Sequence, residues 1–156
     1  MPKHTLNMEL VAEMIKNYRT RQLKSIEDSK TWPMAFDAHS VWFSLDELKD
    51  FITEIETEIA SHPEKPVGNL GLRIYYAAYP TEEDWNPDLD TVPKDYEKLH
   101  TVIALPTNEI DGENFDFDPS DVNTYDGTKP TGTGIAIMAE NHGFLTPPFS
   151  TTGEWF

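Results

Sequence analysis

The sequence predicts an α+β fold. A small mixed or mainly antiparallel sheet of about four strands is expected, packed by two long helices from the N-terminal half, in a single domain over residues 1–156. Three observations carry this reading. Apolar residues recur every three or four positions in two stretches ahead of His62-Pro63, and Gly71 to Tyr79 alternates in the manner of a strand. Between that strand and the apolar run Val102 to Leu105 lies a turn-rich stretch with no clear crossover helix, which disfavours a doubly wound parallel sheet. A chain of 156 residues that is 38 % hydrophobic and 12 % aromatic has enough apolar matter for one core.

The first helix is expected from Leu6 to Ile26, with Thr5 or Asn7 as its cap. Leu10, Val11, Met14, Ile15, Tyr18, Leu23 and Ile26 form one stripe, separated by Lys16, Arg19 and Lys24. The second is expected from Leu45 to Ser61, because Ser44 followed by Glu47 is a capping box, Phe43 and Leu48 occupy the staple positions, and Pro63 ends the run. Its apolar face is Leu45, Leu48, Phe51, Ile52, Ile55 and Ile59, and its other face is acidic. The expected strands are Ala38 to Phe43, Gly71 to Tyr79 as the central strand, His100 to Pro106, and Gly134 to Ala139, with a helical turn over Asp95 to Leu99. No repeat or heptad register occurs.

Charge narrows the function classes. Twelve Lys+Arg against 28 Asp+Glu give a formal charge of −16, which opposes direct contact with nucleic acid or an anionic bilayer. The first thirty residues hold six Lys/Arg and four acids, whereas Thr81 to Asp126 holds fourteen acids and two lysines. Without cysteine there are no disulfides, thiolate metal sites or thiol nucleophiles. No apolar run approaches the length of a spanning helix, and the first dozen residues lack a secretory apolar core, so a soluble, cytoplasmic protein is expected.

Few residues suggest chemistry. Asp111, Glu113, Asp116, Asp118 and Asp121 are spaced closely enough for their oxygens to suit calcium or magnesium, although the helix-loop-helix calcium pattern fails at its glycine and final glutamate positions; an edge strand pointing Phe115 and Phe117 inward is the other reading. The five histidines show no metal spacing, and His142 in Asn141-His142-Gly143 is the most interesting of them. Thr131 to Gly134 and Gly68 to Gly71 read as turns, not phosphate loops. Arg73 faces with Tyr75 and Tyr79 on the best strand. It is either paired to a carboxylate or set in a pocket for an anion, which Tyr18 would help to line. The aromatic tail Phe144, Phe149, Trp155 and Phe156 must pack or bind.

Ile15 to Arg19, Ala38 to Leu48, Gly71 to Tyr76 and His100 to Thr107 together resemble a set of small proteins of Bacteroidetes-type bacteria for which no activity is established. The resemblance runs from about Met8 to Pro148 and implies a single α+β domain in a bacterial cytoplasm, with no catalytic residue to carry over. Many of those proteins end in a cysteine-containing, proline-rich tail, whereas this chain has Phe144-Leu-Thr-Pro-Pro148 and no cysteine, so no role tied to those thiols carries over.

The leading expectation is a protein-interaction or binding module, acting on a protein partner or as a homo-oligomer through its acidic surface and aromatic tail. The alternatives are an enzyme dependent on a divalent metal or a small anionic ligand, and a nucleic-acid mimic that occupies a basic protein.

Overall fold

The computed structural model describes residues 5–132 and 135–146. In chain order the elements are α1 (Met8–Tyr18), a π-helical turn (Arg19–Leu23), α2 (Lys24–Glu27), β1 (Ser40–Trp42), α3 (Leu45–Ser61), β2 (Leu70–Ala78), β3 (His100–Ile110), β4 (Glu113–Asp116) and β5 (Phe144–Thr146). Short 3₁₀ turns lie at Glu82–Asp84, Pro87–Leu89, Lys94–Tyr96 and Val122–Thr124. Two compact units share these elements. One consists of the described residues of Met1–Val41, Tyr79–His100 and Leu145–Phe156, the other of those in Trp42–Ala78 and Thr101–Phe144.

The α+β class is as expected, but the strands make two antiparallel sheets instead of one. β1 pairs with β5, and β2, β3 and β4 form the other sheet in that order. The segment before α3 therefore finds its partner near the C-terminus. The central strand is β3, not β2. It runs past the expected stop at Pro106: the proline cannot donate to the ladder, but it is fully buried and its carbonyl accepts a hydrogen bond from Phe117 N at 3.2 Å, just beyond the β4 pairing that ends with Asp116 opposite Thr107. Of the strand expected over Gly134 to Ala139, Gly134 lies outside the described residues and 135–139 are not strand. With β4 paired along Thr107 to Ile110, Glu140 makes only a lone bridge to Ala104 farther along β3. Phe149, Trp155 and Phe156 of the aromatic tail also lie outside the described residues, while Phe144 lies in β5.

Asn7 caps α1, its Oδ1 accepting from Glu9 N at 2.7 Å and Leu10 N at 3.4 Å. The apolar stripe has a five-residue gap between Tyr18 and Leu23, and the π turn absorbs it, which keeps Leu23 buried at 3 % exposure. Back-bonding of Thr20 and Ser25 hydroxyls to the Lys16 and Arg21 carbonyls accompanies the irregularity. The stripe is narrower than predicted: Val11, Ile15, Tyr18 and Ile26 are half-buried, but Leu10 and Met14 face solvent. The core of this unit is Ala38, Tyr79, Leu99 and Leu145. The acidic segment after Tyr79 folds onto it through Trp85 and Tyr96, whose rings lie 6.0 Å from that of Tyr79.

In the second unit α3 begins and ends where the sequence sets it. Ser44 Oγ accepts from Glu47 N and Glu47 Oε2 accepts from Ser44 N, both at 3.0 Å. Phe51 and Ile55 bury against Ala104 of β3, with Ile59 and Met138 beside them. Leu45 and Ile52 of the predicted face are exposed, because contact with β3 takes only the Phe51 and Ile55 side of the stripe. β3 and β4 join through Asp111 and Gly112, both at positive φ, as a two-residue Asp-Gly hairpin demands.

Beyond β4, Phe117 meets Tyr125 edge-on at 5.2 Å, and the Tyr125 hydroxyl donates to Pro119 O at 2.8 Å. Burial first, and then the charges of Glu58, Asp118 and Glu64, push the Tyr125 hydroxyl above its ordinary value. A raised folded pKa favours the protonated folded state. Its contribution is therefore complete below the unfolded value of about 10 and is lost as pH rises through the folded value. Tyr125→Phe is expected to remove this alkaline component and cost about 1 kcal/mol at neutral pH. Urea denaturation at neutral and at alkaline pH checks both.

Candidate functional site

The side-chain alternation of β2 sets Gly71, Arg73, Tyr75 and Ala77 on one face of its sheet. Arg73 Nη1 reaches Asp116 Oδ1 at 2.6 Å, Nη2 donates to Asn114 O at 2.6 Å, and the Tyr75 hydroxyl donates to Asp116 Oδ2. β4 contributes Asn114 and Asp116 through a register that sets Asp116 opposite Thr107 and Asn114 opposite Glu109. The Tyr75 hydroxyl first, and the Asp116 carboxylate second, hold the Arg73 guanidinium above its already high value. Arg73 and Asp116 side chains remain 40 % and 34 % exposed, so the pair adds only about 0–1 kcal/mol of stability. Its effect is positional: two donors of the guanidinium fork are fixed on Asp116 and Asn114, the fork is held beside the Tyr75 hydroxyl, and part of its five-donor capacity is left over.

This group forms the polar wall of a cleft of about 610 Å³. Leu105, Phe115, Phe117, Ile135 and Ile137 supply apolar walls, and Lys129 adds a cation with no carboxylate partner among the described residues. Asp118 also lines the cleft, with its Oδ1 accepting from Ser120 N at 3.0 Å and Ser120 Oγ at 2.7 Å. The volume falls within the range of small-molecule sites, and the mixture of apolar walls with a few fixed polar groups has their usual character.

Of the residues singled out for ligand binding, Arg73 and Tyr75 come together and the other two do not join them. Tyr18 belongs to the first unit and is not among the residues lining the cleft. His142 is exposed and tied to its neighbour, its backbone N donating to Glu140 Oε1 at 2.6 Å with Nδ1 3.2 Å from the same oxygen.

The acids proposed for a cation have separate occupations. Asp111 turns the hairpin, Glu113 starts β4 in the open, Asp116 holds Arg73 and Tyr75, Asp118 binds Ser120, and Asp121 caps Val122–Thr124 by accepting from Asn123 N. Among the described residues no cluster of three or more His, Asp or Glu side chains is disposed to hold a metal ion.

One buried polar centre went unread in the sequence. Asp37, with no exposed surface, accepts from Ala38 N at 2.7 Å and His100 N at 2.6 Å, and its Oδ2 meets His100 Nδ1. Glu27 Oε1 accepts from Asp37 N at 3.3 Å, joining the end of α2 to the same point. No helix among the described residues is long and apolar enough to cross a membrane. In comparisons with known proteins, no family model, no curated protein and no solved structure matches the chain.

Proposed function

We propose that the protein is a binding module whose second unit takes a small amphipathic ligand, an apolar chain or ring bearing one carboxylate. The observation that carries this is the cleft itself, in which Arg73 is clamped by Asp116 and Tyr75 beside apolar walls of Leu105, Phe115 and Ile137. Both oxygens of Asp116 are occupied, so Lys129 and the uncommitted donors of Arg73 are the groups available to an incoming anion. The overall charge of −16 repels anions at long range, which selects ligands whose apolar part contributes most of the affinity.

Isothermal titration with octanoate, octanol and acetate tests the reading. Octanoate is expected to bind with a Kd on the order of 0.1 mM. Octanol should bind about tenfold more weakly, and acetate should not saturate. Ile137→Asp and Lys129→Glu should each weaken octanoate by about tenfold or more, since one spoils the apolar wall and the other reverses the free cation. Equal affinity for octanol and octanoate, or indifference to Lys129→Glu, overturns the proposal.

A further inference from the structure

The edge strand β2 lacks the usual defences of an edge. Its nine residues, Leu-Gly-Leu-Arg-Ile-Tyr-Tyr-Ala-Ala, contain no lysine and no proline, and Arg73, the one charge, is turned to Asp116. On the face opposite Arg73, Leu70, Leu72, Ile74 and Tyr76 form an unbroken apolar strip, exposed by 38, 37, 53 and 90 %. A free edge and an uncovered apolar strip on one strand are the two features by which a sheet recruits another strand.

From these features we infer that β2 pairs with β2 of a second copy of this chain, antiparallel about a two-fold axis through Ile74. In that register Ile74 meets Ile74, Leu72 meets Tyr76, Leu70 meets Ala78, Gly71 meets Ala77, and Arg73 meets Tyr75. Apolar residues face apolar residues at every strip position. No like charges oppose each other, because the single arginine lies across from a tyrosine. Self-complementarity of this kind is what a two-fold interface requires. The three-stranded sheet would become six-stranded, with the two Arg73 clefts on the same face of it. The strand edge and its flanking side chains bury about 1,000 Å² in total, the lower limit of a specific interface, so dimerisation is weak, with Kd on the order of 10–100 µM. Each copy carries −16, and screening therefore strengthens the dimer, the reverse of the salt response of a partner held by opposite charge.

The test is sedimentation velocity of the full chain from about 1 µM to about 500 µM at low and high salt, together with crosslinking. A monomer–dimer equilibrium that tightens with salt is expected, and Ile74→Lys, which sets two ammonium groups opposite each other, should leave a folded monomer by circular dichroism. Because the chain has no cysteine, Ile74→Cys introduces a single thiol that the register sets against its own copy at disulfide distance. It should oxidise to a covalent dimer at least about tenfold faster than Leu45→Cys, a still more exposed control on α3. A monomer at every concentration, a dimer indifferent to Ile74→Lys, or equal oxidation of the two thiols overturns the inference.

Discussion

Asp37→Ala should lower the stability of the protein by about 3–5 kcal/mol in urea denaturation. The carboxylate is fully buried and satisfies Ala38 N, His100 N and His100 Nδ1 together. Alanine fills none of those valences. It strands two backbone donors in the interior and leaves His100 without the group that orients its ring, each loss costing about 1–3 kcal/mol. Asp37→Asn should fall between, since an amide oxygen in the place of Oδ1 can still accept from both backbone N–H groups, whereas the amide nitrogen in the place of Oδ2 offers His100 Nδ1 no carboxylate. Asp28, whose exposed side chain pairs with Lys24 across one helical turn, provides the contrast, and its replacement by alanine should lie near the error of the measurement. A loss below about 1 kcal/mol for Asp37→Ala would mean that this centre does not hold the first unit together.

Gly68→Ala is the second large effect. A Cβ at Gly68 would lie 2.1 Å from Glu109 O and 3.1 Å from Glu109 C, both backbone atoms that no rotamer change can move. The start of β2 would have to leave β3, breaking the bond from Gly68 N to Asn108 Oδ1 at 2.7 Å. Asn108 is 2 % exposed and also donates to Tyr125 O, so the disturbance reaches the loop that packs on Phe117. A cost of about 3 kcal/mol or more is expected. Gly112→Ala separates close approach from backbone conformation. Gly112 has φ +84° with nothing within 4 Å of its missing Cβ, so its replacement should cost only about 1 kcal/mol. Equal costs at the two sites would contradict the packing assigned to Gly68.

What could be read in the sequence was mostly local. The capping box, the three-and-four spacing and Pro63 define α3 to the residue, and the five-residue gap between Tyr18 and Leu23 becomes the π turn. Alternation set Arg73 beside Tyr75 and allowed a carboxylate partner, but the identity of Asp116 depends on the register of β4, which no pattern along β2 encodes. The density of acids around Asp111 suggested a cation loop, whereas Asp111-Gly112 is the shorter and stronger signal of a hairpin. Apolar and aromatic residues on both faces of β2 predict a central strand, yet it lies at the edge of its sheet. Alternation reports which residues share a face, and what covers that face is settled by distant parts of the chain. Asp37 and His100 stand 63 residues apart and join only when their unit folds.

The most direct test of the cleft is the map of amide and methyl chemical-shift changes when octanoate is titrated into the labelled protein. The account predicts saturable shifts gathered on Tyr75, Leu105, Phe115, Lys129 and Ile137. Shifts concentrated instead on the exposed apolar residues Leu6, Leu10 and Met14 at the start of the chain, or none that saturate, would contradict it.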